Sequence, residues 1–466
     1  MIEMFNKSSL RSLILTLIAI SLLGSSSLAQ NPSKKDIKKS DDLAKQGIRL
    51  FGQRNYRDAV EKFAEAVVLV PRNSTAHFNK GRSHLMLKEN DLALNEFKLA
   101  EEYGHSPIEV SKYRWAVYFD KNETDAALAD VARALQAEPR NQALLRAAGD
   151  LYYRKQNYNE ALVSYQTAAA DAPNDGNLFY GIALVQQALG NHQGQEQAAA
   201  TALSKPNQYH TELQLLLADA LHKQRKYDEA IVSYNKVLAA KPDAIQVYRL
   251  MGEIYRAQSK FPEAIDIIRK AISRWPLDGD LFTDISWYYS LNGNVKEAIA
   301  TAESATEQLP NKSMGFTNLC RAYNDNSQFS QAVRACEKAL QLNPNDGETN
   351  FYLGRALREL GRTADAARAF DKAVAGLIKF TQENPDYSDG FYLLGNAYFN
   401  DNQFAKAVDA YRRSLELSPN FPRARYNAGI SFIRMNNKNG ALEQYNALLN
   451  LDKDLAGRLK TEIDKL

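Results

Sequence analysis

Two cysteines and six histidines are the sparse reactive side chains of a 466-residue chain, and their placing narrows the chemistry on offer. Cys320 and Cys336 do not form a C-x-x-C, so thiol exchange is not indicated. In an oxidising compartment the pair suits a structural disulfide; two buried thiols acting as small apolar side chains are the alternative. His77 and His84 fall where a helix packs aromatic or apolar residues, which reads as core or groove rather than metal ligation. H-E-x-x-H, the P-loop, G-x-G-x-x-G and G-x-S-x-G are all missing. Gly81-Arg82-Ser83-His84 imitates the last of these without its second glycine. No cofactor is implied. What remains plentiful is Arg together with 24 Tyr, 19 Phe and 3 Trp. Those side chains grip partners better than they turn over substrates.

The elements that position them repeat every 34 residues, starting at Ser40, Ser74, Ile108, Gln142, Gly176, Thr211, Ile245, Gly279, Ser313, Gly347, Ser388 and Pro422. Ser388 to Phe421 is the clearest copy, with Gly395, Tyr398, Phe404, Ala407, Tyr411 and Pro419 in place. Each copy divides into two helical stretches. In the first, Leu43, Gly47, Leu50 and Phe51 share one face of helix A, Asn55 and Tyr56 turn the chain, and Ala59, Phe63 and Ala66 share one face of helix B. Small residues at Gly47, Ala59 and Ala66 let the helices approach, and a proline such as Pro71 or Pro419 ends most units. A period of this length predicts stacked helical hairpins, an array without the size limit of a globular core.

This pattern resembles the tetratricopeptide repeat over nearly all of residues 40–454. The resemblance implies an all-α, right-handed α-solenoid (a superhelix) of about twelve helix-turn-helix units, closed by a capping helix at 455–466. Within a hairpin, Cys320 takes the small position of helix A and Cys336 the aromatic position of helix B, so the two face each other and the disulfide is favoured. Three units depart from the pattern. Trp115 occupies a small-residue position, so the helices must splay or the indole must turn outward. The fifth unit puts Gln195, Ala199 and Ala202 on helix B and carries Gly190 and Gly194, which makes it the expected soft point. The tenth has an extended second helix over 374–385, on which Leu377, Ile378 and Phe380 either pack against the next unit or form an exposed ridge.

In proteins of this type helix A lines a concave groove. Carrying that register over gives Arg146, Asp150, Tyr153 and Arg154; Arg249, Glu253, Arg256 and Trp287; Arg321 and Asn324; Phe351, Arg355 and Arg358; and Tyr392, Asn396 and Phe399. The stretch from Arg321 to Phe399 is the preferred groove. A clamp for a chaperone's terminal carboxylate is not expected, because Tyr392 stands where a Lys is needed, although Asn396 and Asn427 match.

At the N-terminus, Lys7 and Arg11 precede the apolar run Ser12 to Leu23, and Ser27-Leu28-Ala29 fits a cleavage site, so residues 1–29 read as a cleaved signal peptide. Residues 30–39 read as a polar basic leader. The formal net charge of +3 excludes a broad nucleic-acid footprint, and no later stretch is apolar enough for an integral membrane span in the mature chain. The expectation is therefore an exported, non-catalytic scaffold or adaptor of the periplasm or outer cell surface, with other proteins as partners. It would hold a peptide segment or helix in its groove. The alternative is an accessory subunit of an envelope enzyme or secretion system that guides substrate, including glycan.

Overall fold

The computed structural model describes residues 32–466. The signal-peptide expectation lies outside these residues, as do the first two positions of the leader. Among the described residues the chain is all-helical, with twelve A–B hairpins followed by one further helix, Lys453–Ile463. The described residues up to 216 form one compact unit and 217–466 a second, the boundary falling inside helix A of the sixth repeat, His210–Lys223.

The repeat works through a ring from helix B pressed onto a glycine of helix A. In the first repeat (Lys34–Gly52 and Tyr56–Leu69), Phe63 is fully buried, and a Cβ added at Gly47 would meet its ring at 2.6 Å. Tyr411 stands in the same relation to Gly395 in the eleventh repeat. Each large ring so buried contributes on the order of 3 kcal/mol against its alanine variant. Alanines Ala59, Ala66, Ala161, Ala168, Ala264 and Ala407, all fully buried, keep the two helices close.

Every A–B turn carries one residue in the left-handed region. These are Arg54, Lys88, Asn122, Gln156, Gly190, Arg225, Ser259, Gly293, Ser327, Gly361, Asn402 and Asn436. Only three are glycines, so nine turns carry a steric cost.

Several local expectations resolve. The run Lys34 to Lys39 does not stay a leader: Ser33 accepts the amide of Asp36 at 3.1 Å, and helix A of the first repeat starts at Lys34. Trp115 is half-buried, set edge-on to Phe119, with its indole N–H donating to the Lys112 carbonyl at 3.0 Å. Helix B of the tenth repeat runs from Thr363 to Glu383. Its extension divides: Leu377 is buried, whereas Phe380, edge-on to Tyr387 at 5.7 Å and bearing on Gly390, remains exposed.

A self-braced inner wall and its cleft

Helix A side chains of the first unit brace one repeat against the next. Arg82 lies between the rings of Phe51 and Tyr113, at 4.6 and 4.5 Å. Arg154 stacks on Phe119 at 4.0 Å and donates to Asn122 at 3.1 Å. Asp150 accepts the Tyr165 hydroxyl. Burial pushes its carboxyl up, against that bond and against Arg146 and Arg154. Tyr153 packs on Tyr158 at 5.6 Å. His77 is buried, with Nδ1 2.6 Å from Glu96 and Nε2 3.0 Å from the Pro71 carbonyl, so it serves packing and hydrogen bonding. His84 is likewise buried against Glu89. Among the described residues no His, Cys, Asp and Glu gather into a metal-binding group.

In the second unit the inner wall meets itself. Arg256, on helix A of the seventh repeat (Ile245–Ala257), forms an ion pair with Asp389 at the start of helix A of the eleventh (Ser388–Asn400). The Arg256 guanidinium also lies 4.8 Å from the Trp287 ring and 5.3 Å from Tyr387. Two more bonds cross similar spans: Arg225 donates to the Leu417 carbonyl, and Arg423 to the Leu291 carbonyl at 3.2 Å. Arg321, its side chain 7% exposed, pairs with Glu348 and faces Trp287 from 5.6 Å. Burial disfavours the charges of Arg256 and Arg321, but Asp389 and Glu348 outweigh it and hold both guanidiniums above their ordinary value. Arg249 is held by Asp284 at 2.5 Å. Glu253 stays exposed but crowded, and partial desolvation lifts its carboxyl despite Arg256 and Arg249.

Below these braces a cleft of about 1020 Å³ remains open within the second unit. Its walls are helix A of the eighth (Gly279–Asn292), ninth (Ser313–Asp325), tenth (Gly347–Glu359), eleventh and twelfth repeats (Pro422–Arg434), and the last helix. Of the expected groove residues, Trp287, Arg321, Phe351, Arg355, Arg358, Tyr392, Asn396 and Phe399 line it. Their availability differs. Phe351 is 4% exposed and spends its ring on Tyr352 and Phe370. Tyr392, Asn396 and Phe399 are half-buried and Arg358 is exposed. Asn324 is not a lining residue. It is buried, its amide donating to the Cys320 and Tyr352 carbonyls at 3.0 and 3.1 Å, which ties the ninth repeat to the tenth. Asn396 Oδ1 takes bonds from Tyr411 and Asn427, each at 2.8 Å. Tyr426, Ile430, Arg423 and Arg434 complete the cleft and escaped the sequence reading; the eleventh-repeat register, moved on 34 residues, points at Tyr426 and Ile430. Cys320 and Cys336 are fully buried behind this wall at disulfide distance, with Cα atoms 5.2 Å apart.

Profiles described as tetratricopeptide repeat match residues 44–107, 117–177, 249–313 and 318–386, and a further profile of that description matches 388–421. The first of these alone covers more than half of the chain. The chain belongs to the tetratricopeptide repeat family. Among its relatives, tetratricopeptide repeat protein 21A of Mus musculus is 30% identical over 23% of this chain. Small glutamine-rich tetratricopeptide repeat-containing protein 2 of Saccharomyces cerevisiae is 30% identical over 16%, and the peroxisomal targeting signal receptor of Candida albicans is 45% identical over 11%. The alignments span only 8%, 23% and 9% of those proteins. Among solved structures, yeast Tom70 is 14% identical, covering 92% of this chain and 95% of its own, with a TM-score of 0.41. Naa15/Naa10 bound to HypK-THB is 16% identical, covering 88% and 68%, with a TM-score of 0.39.

Proposed function

We propose that this tetratricopeptide repeat protein is an exported, non-catalytic scaffold of the cell envelope that holds an extended peptide segment or helix in the cleft of its second unit. The carrying observation is that cleft. Half-buried Tyr392 and Phe399 lie on one helix, with Tyr426 and Ile430 on the next, and guanidiniums stand around them. Apolar rings with a charged surround suit a polypeptide better than a small ligand. Export is supported by the Lys7 to Ala29 pattern and by two cysteines brought to disulfide distance. Among the described residues no helix is long and apolar enough to cross a membrane.

Two measurements test this. N-terminal sequencing of the mature protein should begin near Gln30; an intact Met1 would overturn the cleaved signal in favour of a retained membrane anchor. Full-length protein should capture the same envelope protein repeatedly, and Phe399→Ala with Tyr426→Ala should abolish the capture. Capture untouched by both changes would move binding elsewhere. The glycan-guiding alternative loses its strongest candidate, because Trp287 has Arg256 and Arg321 within 6 Å of its ring.

A further inference from the structure

Resting on the reading of the cleft as a peptide site, we propose that its ligand is an acidic segment that also carries aromatic or large aliphatic side chains. The cleft is lined by five arginines and five carboxylates, balanced in number. They are not balanced in availability. Glu348 is taken by Arg321 and Asp389 by Arg256. Asp325 lies 3.5 Å from Arg355. Asp452 caps the last helix through the Leu455 amide at 3.0 Å, and Glu462 pairs with Lys465 at 2.6 Å. Four of the five thus face a cation, and Asp452 meets only a neutral amide.

Three lining guanidiniums are placed differently. Arg423 is bonded to the neutral carbonyl of Leu291. Arg358 donates to the neutral side-chain oxygen of Asn400, and its nearest carboxylate, that of the adjacent Glu359, is 3.8 Å away. Arg434 is exposed and forms no salt bridge among the described residues. A guanidinium bonded to a neutral oxygen keeps its full charge, as Asp452 does on its amide, so three guanidiniums stand against one carboxylate and the unspent charge of the cleft is positive. Carboxylates answer it best, because guanidinium donors match their geometry in pairs and a concave wall strengthens the field. The same cleft presents the half-buried rings of Tyr392, Phe399 and Tyr426, which offer apolar surface to a ligand. Acid and ring must therefore alternate on one ligand. That need favours a polypeptide over a nucleic acid, which offers phosphates at fixed spacing.

The test uses the full-length protein and three length-matched, fluorescein-labelled peptides that alternate Phe with Asp, Asn or Lys, read by fluorescence anisotropy. The Asp peptide should bind tightest, and its affinity should fall as salt rises from low to physiological strength. Arg434→Glu should weaken it about tenfold, as loss of an ordinary interfacial charge pair does. Arg358→Glu with Arg434→Glu should turn the preference toward the Lys peptide, circular dichroism confirming that the variants fold. Arg434→Gln, which removes charge without repulsion, should give a smaller loss of the same sign. Equal binding of all three peptides at a site that Phe399→Ala weakens would overturn the acidic preference and leave the peptide reading standing. No binding of any peptide would overturn both. A single-stranded oligonucleotide that displaces the Asp peptide in the same range would also overturn the proposal, in favour of a polyanion site.

Discussion

Arg256 and Asp389 lie 133 positions apart and close the inner wall of the second unit with an ion pair. Both side chains are largely buried, at 13% and 17% exposed. The Arg256 Nε has no acceptor, so the pair is incompletely satisfied and loss of the carboxylate would strand a buried cation. Asp389→Asn should lower the unfolding free energy of this unit by about 3 kcal/mol. The double replacement Arg256→Met with Asp389→Leu should restore most of that loss, because it removes the desolvation cost along with the attraction. Urea denaturation curves of the three proteins decide it. An unchanged midpoint for Asp389→Asn would mean that the brace holds nothing.

The left-handed turns give a prediction of the opposite sign. Gln156 sits at φ 61° and Gly293 at φ 81°, each at the A–B turn of its repeat. Replacing Gln156 with Gly should stabilise the first unit by about 1 kcal/mol, by relieving the left-handed penalty of a side chain. Gly293→Val should destabilise the second unit by at least as much. Thermal or urea unfolding measures both; a destabilised Gln156→Gly would show that the turn geometry is set otherwise.

Acid should weaken the second repeat through Glu96. Burial alone would raise this carboxyl, but hydrogen bonds from His77 and Lys80, together with their charges, outweigh it and leave the carboxyl below its ordinary value of 4.5. A carboxyl depressed in the folded state stabilises above its unfolded value, and that contribution disappears as pH falls below about 4.5 through the folded value. Glu96→Gln should therefore be less stable near neutrality and lose less further stability between pH 5 and pH 3 than the parent. Parallel stability–pH profiles would refute this.

Cys320 and Cys336 tie helix A to helix B of the ninth repeat. Alkylation under non-reducing denaturing conditions should modify neither cysteine in protein taken from its native compartment. Replacing both with Ser should cost about 3 kcal/mol, the loop-closure value for a bridge of this separation. Two alkylated cysteines in such protein would exclude the bridge.

The period of 34 made the hairpins legible, because ring, glycine and alanine sit at fixed offsets and stack only one way. Phe63 on Gly47 and Tyr411 on Gly395 follow directly from the pattern. The cost hidden in the turns was not legible: nine left-handed positions carry Arg, Lys, Gln, Ser or Asn, which read as ordinary turn residues. The groove was legible as a face but not as a surface. Register places Arg256 and Arg321 on helix A correctly, yet says nothing of what stands opposite once the seventh repeat meets the eleventh. Asp389 falls on the second groove position of its repeat, but nothing within one repeat says that it meets Arg256 four repeats away. Asn324 failed for a related reason: its amide is consumed by carbonyls of its own repeat and the next. Arg358, Tyr392 and Phe399 stay partly or fully exposed in the cleft, although Tyr392 packs on Phe421 at 4.8 Å and Phe399 on Phe404 at 5.4 Å.

The most direct test of a gripping inner face places a photo-crosslinking residue at Phe399 or Tyr426 in the native host, with exposed Val232 on helix B of the sixth repeat (Tyr227–Ala240) as the control. Mass spectrometry of the adducts should recover the same partner segment, rich in acidic residues, from both cleft positions and not from Val232. Adducts from Val232 alone, with none from the cleft, would contradict the account.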